Sequence, residues 1–325
     1  MSSEKGNETQ RVNTKWAVAI FSSRESLETL GSSIDAAIAA TSATESVIDV
    51  IVNGDRCLAE RTASYVQALR PAGAATRLIR LWYVLVGDKG HAWNQYLYDI
   101  WPESEVTFFL DGYAQVLPDA LGLMWDMLVA EPRALAVSGM PTIGRSAKKV
   151  REVMLRDGGI HGTLHALKGV VVAQLRAMNF RLPLGIYRTD PTMGAVLCFG
   201  LDPARNDWDI TRIAVHPKAT WTFQPLNWKS IADLRRHYKR VMRQAQGTLE
   251  NLAVHDHLAV QRKSPATLPR TTFEMVSSWT SRFPRSALKA FISNPLCFLA
   301  ARTLRRPHDW SQTRIPPELL ARIRV

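Results

Sequence analysis

The sequence predicts an α/β fold with a mixed, mainly parallel sheet flanked by helices, on three observations. Four apolar runs of strand length come early: KWAVAIFSS (15–23), SVIDVIVNGD (46–55), TRLIRLWYVLVGD (76–88) and VTFFLDG (106–112). The segments after the first two, RESLETLGSSIDAAIAAT and ERTASYVQAL, repeat apolar residues at helical spacing, and strands that alternate with helices build parallel sheets. The runs end in short polar tracts, Ser-Ser-Arg, Asn-Gly-Asp, Gly-Asp-Lys and Asp111. Ligands of such sheets sit outside the carboxyl ends of the strands.

The later chain continues the pattern less regularly. PDALGLMWDMLVAEP (118–132) reads as a helix between prolines, ALAVSGMP (134–141) as a strand, and RIAVHPKATWTF (212–223) as a late strand with a Pro break. Between them, KKVREVMLRDGGIHGTLHALKGVVVAQLRAM turns on a Gly-Gly pair, and RLPLGIYRTDPTMGAVL carries a Pro, a Gly and an acid ahead of a helix. From residue 230 the chain reads as helical and basic, with KSPATLPRTT (263–272) as a break. The expected organisation is a loose N-terminal tail over 1–14, one domain over 15–229 and a basic helical C-terminal extension over 230–325.

Composition narrows the class. A chain of 325 residues is near the upper size for one core, and 46% apolar with 22% charged residues is ordinary for a globular protein. Cys57, Cys198 and Cys297 are too few and too scattered for a disulfide framework. No apolar run approaches the roughly 20 residues that cross a bilayer, and the first residues lack a signal-peptide core. The expectation is a cytoplasmic protein, with association at the inner membrane surface left open. A net charge of +12, gathered late in RRHYKRVMRQ (235–244), RFPRSALKA and ARTLRRPHDW, suits an anionic partner: phosphate groups, nucleic acid or an anionic lipid leaflet.

Five segments, in order, carry a resemblance. DKGHAWN resembles the Lys…Ala…Asn signature of family 2 glycosyltransferases with the GT-A fold, and FFLDGYAQVLPDAL resembles that family's strand ending in a metal-binding acidic motif. VIDVIVNGD resembles its second strand, GGIHGTLHAL its glycine-bearing segment before the acceptor region, and LPLGIYRTD the stretch whose aspartate is the catalytic base. The match spans roughly residues 15–245.

The resemblance implies an inverting transfer of a sugar from a nucleotide-diphosphate donor to a glycan or lipid-linked acceptor, in surface polysaccharide or glycolipid synthesis. It makes Asp190 the base that takes the acceptor proton, with Asp207 in RNDWD as the competitor. It places Asp55, Lys89, Asn94 and Asp111 on the donor, with Arg240 and Arg243 of the basic helix on its diphosphate, and His161 and His165 at the acceptor. It also implies Mg²⁺ or Mn²⁺ on Asp111, since a divalent cation screens a departing diphosphate well, with His216 as a second ligand. The chain departs from the family twice: Tyr113 stands where a second acid is expected, and Thr189 where a glutamate is expected.

Plainer roles stay open for each residue. Asp55 serves equally as a turn residue, Lys89 as a solvated loop lysine, Asn94 and Asp190 as helix caps, His216 as an ordinary strand-end histidine, and the basic helix as a solvated face. His161 and His165 lack the glutamate of a helical zinc pair. Two other functions compete. A sugar-phosphate nucleotidyltransferase calls for a Gly-rich loop after the first strand, which SSRESLETLG does not supply. A basic nucleic-acid-binding protein calls for a recognition motif, and neither an RNP motif nor a zinc finger occurs, so no nucleic-acid partner is expected. SALKAFISNPLCFLAARTLRR mixes apolar and basic residues, as a helix on an anionic membrane or against the domain does.

Overall fold

The computed structural model describes residues 14–70, 76–144, 147–223 and 231–325, with the backbone alone over 231–240. The expected tail therefore lies outside the described residues apart from Thr14, and so does the boundary at 229. In chain order, β1 (Thr14–Ser22), α1 (Leu27–Ala40), β2 (Ser46–Asn53), α2 (Arg56–Ala68), β3 (Arg77–Val84), α3 (Lys89–Gln95) and β4 (Ser104–Asp111) alternate strand and helix. Next come β5 (Gln115–Val116), α4 (Ala120–Ala130), β6 (Ala136–Ser138), α5 (Ala147–Asp157), β7 (Leu164–Lys168), α6 (Gly169–Ala177), α7 (Thr189–Cys198), β8 (Ile213–Val215) and β9 (Trp221–Thr222). Then follow α8 (Ile231–His255), α9 (Thr272–Arg282), α10 (Pro284–Ser293), α11 (Pro295–Leu304) and β10 (Glu318–Arg324).

Among the described residues eight strands form one sheet in the order β10-β3-β2-β1-β4-β7-β6-β8, and β5 pairs with β9 in a small ribbon. Strands β1 to β4 run parallel, as do β6 and β8, whereas β7 runs antiparallel to both β4 and β6. The reversal of β7 brings its amino end, with the GIHGT segment before it, to the edge where β1 to β4 deliver their carboxyl ends.

The sheet is covered on both faces, which is why its strands read as continuous apolar runs rather than alternating ones. Trp16, Val18 and Ile20 of β1 join Ile48, Val50, Phe108 and Leu110 against α1, α2 and α4. Ala19 and Phe21 point the other way, with Ile51 and Phe109, into a core shared with α3, α6 and α7. Ala245 and Leu249 of α8, Met275 and Trp279 of α9, and Cys297 and Ala300 of α11 complete that second core.

The C-terminal part thus packs on the sheet, and it is not wholly helical. Against the expected helical extension, β10 pairs antiparallel with β3, Glu318 opposite Tyr83 and Arg324 opposite Leu78. Its charged, mostly exposed residues disguise it in the sequence, since only Ala321 in the strand is buried.

One charged pair lies inside the second core. Asp49 of β2 receives Arg80 Nε at 2.7 Å and Nη2 at 2.9 Å, and the indole of Trp82 donates to it at 2.9 Å. Arg80 also reaches the Ile100 carbonyl at 2.9 Å. Burial works against the charge on Arg80, but the Asp49 carboxylate outweighs it and holds the guanidinium above its ordinary pKa. Removing one member of such a pair leaves the other charged and buried, at a cost of about 3–5 kcal/mol. Asp49→Ala is expected to lose stability on that scale in urea unfolding, and a loss no larger than that of an exposed aspartate would contradict a structural role for the pair.

Candidate active site at the carboxyl edge of the sheet

The site forms where β4 and β7 meet. Gly112 follows β4 and donates its N–H to the Phe21 carbonyl at 2.7 Å, so close to β1 that a Cβ there would stand 2.7 Å from that of Ser22. This contact turns the chain sharply and leaves the Asp111 carboxylate at the tip of the strand. Asp111 N–H in turn bonds to the Thr163 carbonyl at 3.2 Å, joining the strand tip to the segment before β7.

Both oxygens of Asp111 are occupied. Lys89 Nζ lies 2.6 Å from Oδ1, and the Tyr113 hydroxyl donates to Oδ2 at 3.0 Å while lying 2.9 Å from Thr163 Oγ1. Burial disfavours the charge on Lys89, but Asp111 and then Asp190 outweigh it, so the ammonium is held above its ordinary pKa. Burial, with the adjacent Asp111 charge, pushes the Tyr113 phenol upward, so it stays a neutral donor.

Asp190 enters from the first turn of α7, opposite. Gly162 makes room for it: a Cβ at that position would come within 2.8 Å of the Asp190 carboxyl carbon. Lys89, Asp190, Gly162, His165, Thr189 and Met193 line one pocket, whose apolar wall is Phe21, Trp93, Phe109 and Leu110. The wall is a stack: Trp93 lies 4.8 Å from Phe109, and Phe109 lies 5.0 Å from the His165 ring, both near parallel.

The two histidines are neutral at ordinary pH. Burial, with Lys89 nearby, pushes His165 down to about 3, and its Nδ1 lies 3.2 Å from the His161 carbonyl, to which it donates. Burial also lowers His161, against the opposing pull of Asp190 and Asp111. The structure therefore brings His161 and His165 next to Lys89, Asp111 and Asp190.

The segment that carries Asp190 is pinned from two sides. Asn94 uses both ends of its amide on Leu182, donating to the carbonyl at 2.9 Å and accepting from the N–H at 2.8 Å. Asp88, the N-cap of α3, accepts from Gly185 N–H at 3.1 Å, and burial pushes its carboxyl up to about 6. From α8, Glu250 accepts from the N–H groups of Tyr187 and Arg188 at 2.9 and 2.8 Å, and Gln246 donates to the Gly185 carbonyl at 2.9 Å. Glu250 and Gln246 were not read as site residues. Their signal is an acid and an amide one helical turn apart on the inward side of an otherwise basic helix.

The other expected residues take different places. Asn94, expected on the donor, is buried and fully engaged with Leu182, so it acts as a clamp. Asp55 caps α2, accepting from Leu58 N–H at 2.9 Å, at the carboxyl end of β2. Asp207, the alternative base, has a side chain 94% exposed and ion-paired with Arg262 at 2.7 Å, away from the pocket. Arg243 of α8 is half-buried, and burial together with Arg24 lowers its pKa. The Arg240 side chain lies outside the described residues. Glu25, not anticipated, gathers Ser22 Oγ and the N–H groups of Ser23 and Arg24 at 2.7–2.9 Å and orders the turn after β1.

The donor set does not fit a divalent cation. Mg²⁺ and Mn²⁺ take hard oxygen ligands, including protein carboxylates, whereas Asp111 already holds an ammonium and a phenol. No group of three His, Cys, Asp or Glu side chains suited to a metal occurs among the described residues. His216, expected as a second ligand, follows β8, three strands away from β4 and on the order of 14 Å at the usual spacing. Its Nδ1 accepts from Lys218 and Ala219 N–H, and its charged neighbours are Lys218, Asp119 and Asp126.

No family's sequence profile matches the chain, and no curated protein matches it by sequence. Solved structures do match its fold. A mannosyltransferase from Pyrobaculum calidifontis, in complex with GDP-Man and Mn²⁺, superposes with a TM-score of 0.54 at 16% identity, covering 94% of this chain and 79% of that one. Glucosyl-3-phosphoglycerate synthase from Mycobacterium tuberculosis, in complex with phosphoglyceric acid, gives 0.50 at 12% identity over 74% of this chain and 80% of that one. The chain has the nucleotide-diphospho-sugar transferase fold, GT-A, as the sequence motifs implied.

An unpaired buried peptide group costs about 1–3 kcal/mol. Asn94→Ala is accordingly expected to lower stability by that order and to speed amide exchange over residues 182–186, with β1 and β2 unchanged. Mass-spectrometric hydrogen exchange checks this, and wild-type protection over 182–186 would remove Asn94 from the clamp.

Proposed function

We propose that the protein is an inverting glycosyltransferase that moves a sugar from a nucleotide-diphosphate donor to a glycan or lipid-linked acceptor. The observation that carries the reading is the meeting of Asp190 and Lys89 in one pocket at the carboxyl edge of a GT-A sheet. The similar mannosyltransferase holds GDP-Man, which supports a nucleotide-sugar donor here.

In this reading the acceptor hydroxyl attacks C1 of the donor sugar while Asp190 takes its proton. The C1–O bond to the diphosphate breaks with its electron pair leaving on the diphosphate. Lys89 offers a positive charge beside that leaving group. Asp55, at the tip of β2, has one carboxylate oxygen committed to its cap and the other for the nucleoside. His161 and His165, neutral and next to Asp190, contact the acceptor without competing for its proton. Arg243 completes the basic side of the site, and Arg240, three residues before it in the sequence, is assigned to the donor diphosphate with it.

Asp190→Asn is expected to retain nucleotide binding while transfer falls by about 10²–10⁴-fold. Screening UDP-, GDP- and TDP-sugars for hydrolysis or transfer, with nucleotide binding measured by calorimetry, checks both halves. Transfer at the wild-type rate would remove Asp190 from the role of base.

The lipid-linked acceptor and an anionic membrane surface are favoured by α10 and α11. No helix among the described residues is long and apolar enough to cross a membrane. Yet Leu288 and Ile292 of α10 are 58% and 73% exposed and Phe298 of α11 is 55% exposed, while Ala287, Cys297 and Ala300 anchor the pair in the core. Arg285 and Lys289 share the outer face of α10, standing three residues before Leu288 and Ile292 respectively, with Arg302 on α11 and Arg305 and Arg306 just after it. Apolar residues amid basic ones match the interface of an anionic bilayer. The protein is expected to float with phosphatidylglycerol vesicles at low salt and not with phosphatidylcholine vesicles, and Ile292→Glu with Phe298→Glu to abolish this. Vesicle-independent self-association lost in the same variant would instead assign the face to a second copy.

A further inference from the structure

We infer that this enzyme meets the charge of its donor's diphosphate with its own cations and needs no divalent metal, Lys89 standing on Asp111 where a metal would stand. The inference rests on the glycosyltransferase reading above. Three observations carry it.

The first is occupancy. Lys89 Nζ sits 2.6 Å from Asp111 Oδ1, a full ion pair with a carboxylate that is mostly shielded from solvent. A dication bound to the same oxygen would lie against the ammonium, and like charges at that distance repel strongly. The second is substitution. Tyr113, at the place of the second acid, brings a hydroxyl hydrogen to Asp111 Oδ2 instead of a negative charge. The strand tip therefore presents one carboxylate already ion-paired on one oxygen and hydrogen-bonded on the other, so a dication would have to displace both partners to bind it.

The third is an unmet basic rim. Arg243 of α8 has as its charged neighbour Arg24, from the turn after β1. Two guanidiniums within electrostatic reach of each other favour an anion nearby, and guanidinium matches phosphate oxygens in a two-pronged geometry. The turn that bears Arg24 is ordered by Glu25, and Glu25 lies within electrostatic reach of Lys89, so rim and strand tip belong to one site.

The transfer step balances with these groups alone. The acceptor oxygen forms a bond to C1, the C1–O bond to the diphosphate breaks, and its electron pair leaves on the nucleoside diphosphate. The proton passes to Asp190. The additional negative charge on the leaving diphosphate is met by the Lys89 ammonium, which exchanges Asp111 for a phosphate oxygen, and by Arg24 and Arg243.

The test is calorimetric titration of the full chain with UDP, GDP and TDP, first in EDTA and then in Mn²⁺ or Mg²⁺. At least one nucleotide is expected to bind in EDTA with a Kd within about threefold of that in metal, and Lys89→Gln to weaken it by about tenfold or more. Thermal melting reports whether that variant is folded, and the wild-type titration decides the metal question by itself. Binding that appears only with metal would overturn the inference and leave the donor reading intact. Binding of none of the three nucleotides under either condition would overturn both. Wild-type affinity in folded Lys89→Gln would remove Lys89 from the diphosphate.

Discussion

The structure depends on how one irregular stretch of backbone, residues 182–188, is tied down. Chain that is neither helix nor strand still carries a donor and an acceptor on each residue, and buried ones must find partners. Here Asn94 and Asp88 supply them from α3, and Gln246 and Glu250 from α8. Asp190 begins the helix that follows at once, so its position is inherited from these bonds. Glu250 is wholly buried, and burial raises its pKa against the N–H groups that favour its charge. The long basic helix is therefore more than a charged face, because its inner side holds the candidate base in register with Lys89 on the opposite wall.

The floor and the charges of the pocket divide the work. Trp93, Phe109 and His165 stack into a rigid apolar floor, and a low-dielectric surface strengthens whatever charges stand above it. Lys89 balances Asp111 and faces Asp190, while two neutral histidines add polarity without adding charge. Lys89 thus stands alone against two carboxylates at the pocket, and the further positive charge comes from the basic rim.

Much of the fold was legible because β1 to β4 are covered on both faces, and their apolar runs have no other reading at that length. Among the strands that escaped notice were β7, five residues within a Gly- and His-bearing stretch, and β10, an edge strand in which Glu318, Arg322 and Arg324 break up the apolar residues. In the site, the order of motifs led to Lys89, Asp111 and Asp190; Lys89 and Asp190 line one pocket, and Asp111 is ion-paired with Lys89 beside it. Asn94 was assigned to the ligand because sequence shows that an amide is present but not that its partner is Leu182, 88 positions away. Asp55 fits both of its readings at once, a helix cap at a strand end. Asp207 was attractive only for the acids and polar residues around it, and its exposure and its pairing with Arg262 are tertiary facts. His216 illustrates the same limit, since two intervening strands, β7 and β6, separate its strand from that of Asp111 in a way no local pattern reports.

The pairing of β10 with β3 has a consequence for how the chain is made. Val325 and Arg77 exchange both of their backbone hydrogen bonds, at 2.9 and 3.0 Å, so the outer side of β3 is covered by a strand that comes far later in the chain. Synthesis proceeds from the amino end at about 5–20 residues per second, so β3 is complete and pairable for many seconds before its partner leaves the ribosome. During that interval a strand rich in Leu, Ile and Trp presents an open row of N–H and C=O groups, the kind of edge on which chains aggregate. Folding yield in the cell should thus hinge on what shields β3 while the rest of the protein is still being translated.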